Sequence, residues 1–75
     1  MGLVAWLDQK RIERSESDTQ FAAALGISLA FWSLLNDGKR RPGRKLLQSA
    51  LRMFPDEQRT IVSAFSESET VEVLV

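Results

Sequence analysis

Residues 39 to 45, KRRPGRK, gather Lys39, Arg40, Arg41, Arg44 and Lys45 with no acid among them, and Arg52 extends the basic run. Cations at this density suit a polyanion, phosphate above all, because neutralising a phosphate backbone demands charge and reach, not a particular base-reading geometry. The chain as a whole is neutral, with ten Lys and Arg against ten Asp and Glu, so the total gives no attraction. The distribution does. Residues 39 to 52 hold six cations, while residues 56 to 72 hold five acids against Arg59 alone. One positive end and one negative end can orient a neutral protein on a polyanion.

The other polar residues offer little chemistry. Asp8, Glu13, Glu16 and Asp18 are spread over a helix and its following loop without a matched acid and base. No nucleophile stands beside a general base, and no Gly-rich phosphate cradle is present. They read as a solvated polar face, so no catalysis is expected. The chain has neither His nor Cys. It therefore lacks an imidazole acid or base, a thiolate and a disulfide, and a zinc site would have to use carboxylates alone. No metal, cofactor or small-molecule substrate is expected, and a reducing cytoplasm is the simplest home. The apolar run from Gly2 to Leu7 stops at Asp8, short of a signal-peptide core or a spanning helix, so no membrane is expected.

The elements that must carry the basic run follow from hydrophobic periodicity. With 75 residues and a hydrophobic fraction of 44%, the chain makes one small domain that buries about 60% of its unfolded surface, a size at which a homodimer helps stability. Leu3, Trp6, Leu7 and Lys10 share a stripe that predicts a first helix over residues 3 to 14. Ser17 with Gln20 forms a capping-box pattern for a second helix over residues 18 to 25, turning Phe21, Ala22 and Leu25 inward. Gly26 permits the left-handed backbone that ends a helix, and Ser28 can cap a third over residues 29 to 36. In that third helix Phe31, Trp32 and Leu35 lie on one arc, with Leu29, Ala30, Ser33 and Leu34 on the opposite one.

Asp37-Gly38 ends the third helix, and Pro42 suits the start of a fourth with Leu46, Leu47, Ala50, Leu51 and Phe54 inward. Pro55 breaks that helix. Asp56 and Glu57 complement the N-terminal dipole of a fifth, in which Ile61, Val62 and Phe65 face the core. The expectation is a compact all-α, five-helix domain over residues 1 to 65. Residues 66 to 75 form a short C-terminal tail, either a frayed end or, through the β-prone Val71 to Val75, a strand pairing with a second copy.

Against this background the sequence resembles the helix-turn-helix domain of phage repressor and Cro proteins, the XRE family. The likeness rests on Lys10-Arg11-Ile12, Phe21-Ala22, Leu25-Gly26-Ile27-Ser28, Trp32-Ser33, Leu35, and Gly38 followed by Pro42, and spans about residues 3 to 65. The resemblance implies a transcriptional regulator that binds double-stranded DNA as a homodimer at paired half-sites. By position it places Ser28, Leu29, Ala30, Ser33 and Leu34 toward the bases of the major groove. It also assigns Lys39, Arg40, Arg41 and Arg44 to phosphate. Two positions depart from the family pattern: Asp18 stands where many relatives carry a phosphate-binding Gln, and Asn36 where a Glu often pairs with the Arg at position 11.

Base-reading side chains are sparse. Arg for guanine and Asn or Gln for adenine are missing from the outward arc of the third helix, leaving Leu29, Ala30 and Leu34 to touch thymine methyls and two serines to bond without much discrimination. DNA shape would have to help. The same apolar face, or the Val71 to Val75 tail, also suits a protein-interaction module that binds a partner or a second copy, with weak non-specific DNA binding, and Leu29 and Leu34 are also compatible with scattered surface apolar residues.

Overall fold

The computed structural model describes the backbone of residues 2–73 and the side chains of residues 2–67. Five α-helices follow one another: α1 Leu3–Glu13, α2 Asp18–Leu25, α3 Leu29–Asn36, α4 Arg44–Met53 and α5 Gln58–Val73, with one 3-10 turn, Pro55–Glu57, leading into the last. Among the described residues there is no strand.

The helix ends show why the chain divides where it does. At the start of α2, Gln20 N–H donates to Ser17 Oγ at 3.1 Å, and Ser17 N–H donates to Gln20 Oε1 at 2.9 Å. Ser28 caps α3 by accepting from Phe31 N–H at 3.0 Å. Three helix C-termini close in one way. After α1, α2 and α3 a left-handed residue follows, and the two amides at and beyond it turn back onto carbonyls of the last turn: Ser15 to Ile12 and Glu16 to Arg11, Gly26 to Ala23 and Ile27 to Ala22, Gly38 to Leu35 and Lys39 to Leu34. The φ angles are 55° at Ser15, 78° at Gly26 and 74° at Gly38. Glycine holds this conformation without a Cβ clash in two of the three places; Ser15 holds it with one.

The short turn between α2 and α3 sets their axes at 105°, within the range of helix-turn-helix pairs. This crossing places Trp32 and Phe21 side by side, ring centroids 5.3 Å apart, with both side chains fully buried. Around them Leu3, Leu7, Ala22, Leu25, Leu35, Leu46, Ala50, Ile61, Ala64 and Phe65 complete one core to which every α-helix contributes. The radius of gyration, 11.6 Å, is that of a compact chain of this length, for which about 11 Å is ordinary.

Several expectations shift by a residue or two. Helix α4 starts at Arg44 with Gly43 at its N-cap, so Pro42 lies outside the helix instead of opening it. Val62 is 46% exposed, and Ala64 takes the inward place expected for it. Ile61, Ala64 and Phe65 recur at the three-to-four spacing of a single helical stripe, from which Val62 is rotated away. Trp6 is only half-buried. It sits edge-on to Phe54 with centroids 5.4 Å apart, under the Lys10 ammonium at 5.2 Å.

Lys10 ties α1 to the 3-10 turn, its Nζ lying 3.2 Å from Glu57 Oε1. That hydrogen bond, helped by Glu13, holds the ammonium above its ordinary pKa against some desolvation. The backbone of residues 66 to 73 continues α5. Through Val73 the tail is therefore helical backbone, in place of the frayed end or strand expected from residue 66, because the helix begun at Gln58 runs on without a Pro or Gly to stop it; residues 74 and 75, and side chains from residue 68 onward, lie outside the described residues. No single helix among the described residues is long and apolar enough to cross a membrane.

Candidate nucleic-acid interface

The outward face of α3 is built by the same residues that turn its inner face into core. Because Trp32 and Leu35 are buried and Phe31 packs partly against the cluster, the helical period turns Leu29, Ala30 and Ser33 away from it, and all three are exposed, Leu29 by 43%. Leu34 is half-buried at the edge of this arc, beside Phe31 in the helical projection. Ser28 is exposed, but its oxygen is engaged by the α3 cap, leaving its hydroxyl hydrogen to donate outward. Asn36, the amide nearest the other end, turns back on its own helix, its Nδ2 donating to Trp32 O at 3.1 Å.

The face thus offers methyl and methylene groups with one uncommitted hydroxyl, that of Ser33. Immediately beyond it the chain reverses at Gly38 and presents Lys39, Arg40, Arg41 and Arg44, all exposed. Lys39, Arg40 and Arg44 enter no ion pair among the described residues. The two sets that the sequence reading assigned to bases and to phosphate thus lie on consecutive segments. A further cation, which the family pattern did not single out, stands near the α2–α3 turn: a Cβ built on Gly26 would lie 3.9 Å from Arg52 Nη2. Its place on α4, beyond α3 and the basic loop in sequence, hid this proximity.

At the N-terminus of α2 the electrostatics reverse. Asp8, Arg11, Asp18, Trp32, Ser33, Asn36 and Asp37 line a polar concavity of about 360 Å³ with three carboxylates and one guanidinium. Arg11 Nε donates to Asp8 Oδ1 at 2.9 Å and lies 3.3 Å from Asp18 Oδ1, while its Nη1 donates to Glu16 O at 3.0 Å. The hydrogen bond to Asp8, with the charges of Asp8 and Asp18 behind it, outweighs desolvation and holds the guanidinium above its ordinary pKa. Asp18 Oδ1 also accepts from the indole Nε1 of Trp32 at 2.9 Å.

A fully buried tryptophan needs an acceptor for its N–H, and Asp18 supplies it. The acid that departs from the family pattern is therefore structural: it joins α1 through Arg11 to α3 through Trp32. In the same way Arg11 has partners without a carboxylate at position 36. In the sequence Asp18 reads as part of a solvated polar face and Trp32 as a member of one arc of the third helix, with nothing joining them; the clue linking them was the unassigned indole donor. Among the described residues no group of three His, Cys, Asp or Glu is placed to hold a metal ion. Comparison with protein families, curated proteins and solved structures finds no match for the chain.

Proposed function

We propose that the protein is a DNA-binding transcriptional regulator, cytoplasmic and dimeric, that occupies duplex DNA by laying α3 in the major groove. The observation that carries this reading is the continuity of an exposed α3 face, set at 105° to α2, with a loop whose Lys39, Arg40 and Arg44 have no ion-pair partner among the described residues. An eight-residue helix is about 12 Å long, comparable to the width of the major groove at about 12 Å. The cations after it reach the flanking phosphates.

The test is retention of a random duplex pool over a range of salt concentrations, with sequencing of what is retained. A log–log salt slope of about −4 to −8, expected for some 4 to 9 phosphate contacts in a dimer, together with an enriched palindrome supports the proposal. A flat, sequence-blind response sinks it. The exposure of Leu29 on a helix without bidentate readers favours one second reading, a protein-interaction module working through the outer face of α3. That reading expects a protein partner lost on replacing Leu29 and Leu34 with Ser, and weak DNA binding unchanged by the replacement.

A further inference from the structure

We infer that α3 reads the 5-methyl groups of pyrimidines, so that the preferred ligand is duplex DNA whose major groove is lined by thymine or 5-methylcytosine. This rests on the proposed DNA-binding role and specifies what the same face recognises. The polar groups at both ends of α3 are partly engaged: the Ser28 oxygen accepts from Phe31 N–H, leaving its hydroxyl hydrogen, and Asn36 Nδ2 donates to Trp32 O, leaving its Oδ1. Between them the exposed arc carries Leu29, Ala30 and Ser33, with the half-buried Leu34 at its margin.

A serine hydroxyl both donates and accepts, so Ser33 bonds any base edge without choosing strongly. What distinguishes one base pair from another to an aliphatic side chain in the major groove is the methyl at pyrimidine C5. From Leu29 to Leu34 the helix advances about 7.5 Å, which matches two to three base steps of about 3.4 Å. The face therefore addresses a short block of adjacent methyl groups, while the cations after α3 hold it there through phosphates that are the same in every sequence. Burying one methyl is worth about fourfold in affinity, so a site with two contacted methyls gains on the order of tenfold.

The experiment compares two random duplex pools at one salt concentration, one made with thymidine and one with deoxyuridine, which differs only in lacking the C5 methyl. A third pool carries deoxyuridine together with 5-methylcytosine. The expected result is tighter retention of the thymidine pool, up to about tenfold among its selected members, partial recovery with 5-methylcytosine, and similar salt slopes for all three. The variant L29S/L34S should lose the preference and keep the slope. Since Leu34 is half-buried, L29S alone, at an exposed position, serves beside it and should reduce the preference by about fourfold.

Equal retention of thymidine and deoxyuridine pools, both bound, overturns methyl reading and leaves the DNA-binding proposal standing. Binding to none of the pools overturns both. A preference that survives in folded L29S/L34S removes it from α3 and overturns the assignment.

Discussion

Arg11 and Arg40 carry the same guanidinium, yet they belong to regions of opposite character on either side of α3. Arg11, in the last turn of α1, is held by Asp8, Asp18 and the Glu16 carbonyl. Arg40, in the loop after α3, is exposed and makes no ion pair among the described residues. The first works for the fold, linking helices through a network that ends on a buried indole. The second is available to a ligand. A cation's value to a polyanion thus depends on what already neutralises it, which a count of charges does not record.

The largest effect should come from the joint on which the acidic region hangs. Trp32 is fully buried and bonded to Asp18. Trp32→Ala should cost about 3–5 kcal/mol, a large part of the roughly 4–11 kcal/mol available to a domain of this size. Trp32→Phe keeps much of the packing, removes the N–H, and should cost less. Urea unfolding of the pair separates ring from hydrogen bond; a loss below about 1 kcal/mol in the alanine variant would contradict the packing described.

Next in size is the basic loop. Replacing Arg40 and Arg41 with Ala removes two phosphate contacts per protomer under the proposed function. Near physiological salt this weakens binding at least about thirtyfold and makes the salt slope shallower by about 2 per protomer. The loss should be similar for all duplex sequences, measurable by fluorescence anisotropy. Stability should hardly change, since both side chains are exposed. Unaltered affinity would place the DNA contact elsewhere.

How far the sequence disclosed this contrast follows from the range of the interactions involved. The capping box at Ser17, the glycines at 26 and 38 and the two arcs of α3 depend on residues within four positions of one another, and local periodicity carries them. The Asp18–Trp32 hydrogen bond spans fourteen positions, and the Lys10–Glu57 bond forty-seven. Neither is visible until the helices pack. Val62 was misplaced because a run of apolar residues, Ile61-Val62, leaves the centre of a stripe ambiguous by one position. Ser15 carries no composition signal for a left-handed residue, where Gly26 and Gly38 do. The four loop cations are exposed, while the half-buried Leu34 narrows the apolar face expected on α3.

Ser15 permits a smaller test. It occupies the left-handed position that glycine fills after α2 and α3, just before Glu16, Ser17 and Asp18. Ser15→Gly relieves a Cβ clash of about 1–2 kcal/mol and loses about 0.5–1 kcal/mol of chain-entropy advantage, so the net gain should be about 0.5–1 kcal/mol. The charge of the acidic region is unchanged. Stability should therefore rise, read as a higher urea midpoint, with DNA affinity constant. A change in affinity would mean that rigidity at this turn, not charge alone, distinguishes the two regions.

The smallest effect examines Asp18 directly. In Asp18→Asn the Oδ1 acceptor for Trp32 remains and Arg11 keeps its hydrogen bond to Asp8, so stability should stay within about 1 kcal/mol. Asp18→Ala instead leaves the buried indole N–H without its acceptor and should cost about 1–2 kcal/mol. If the N-terminus of α2 lies close to phosphate, removing the carboxylate also removes a repulsion of about 0.6 kcal/mol at a separation near 7 Å in a water-like medium. Asp18→Asn should then bind duplex DNA about threefold more tightly per half-site. The gain should diminish as salt is raised, because screening weakens the repulsion in the parent protein too. Unchanged affinity at low salt would assign Asp18 wholly to the fold, and the protein would tolerate its acidic flank because that flank never faces the polyanion.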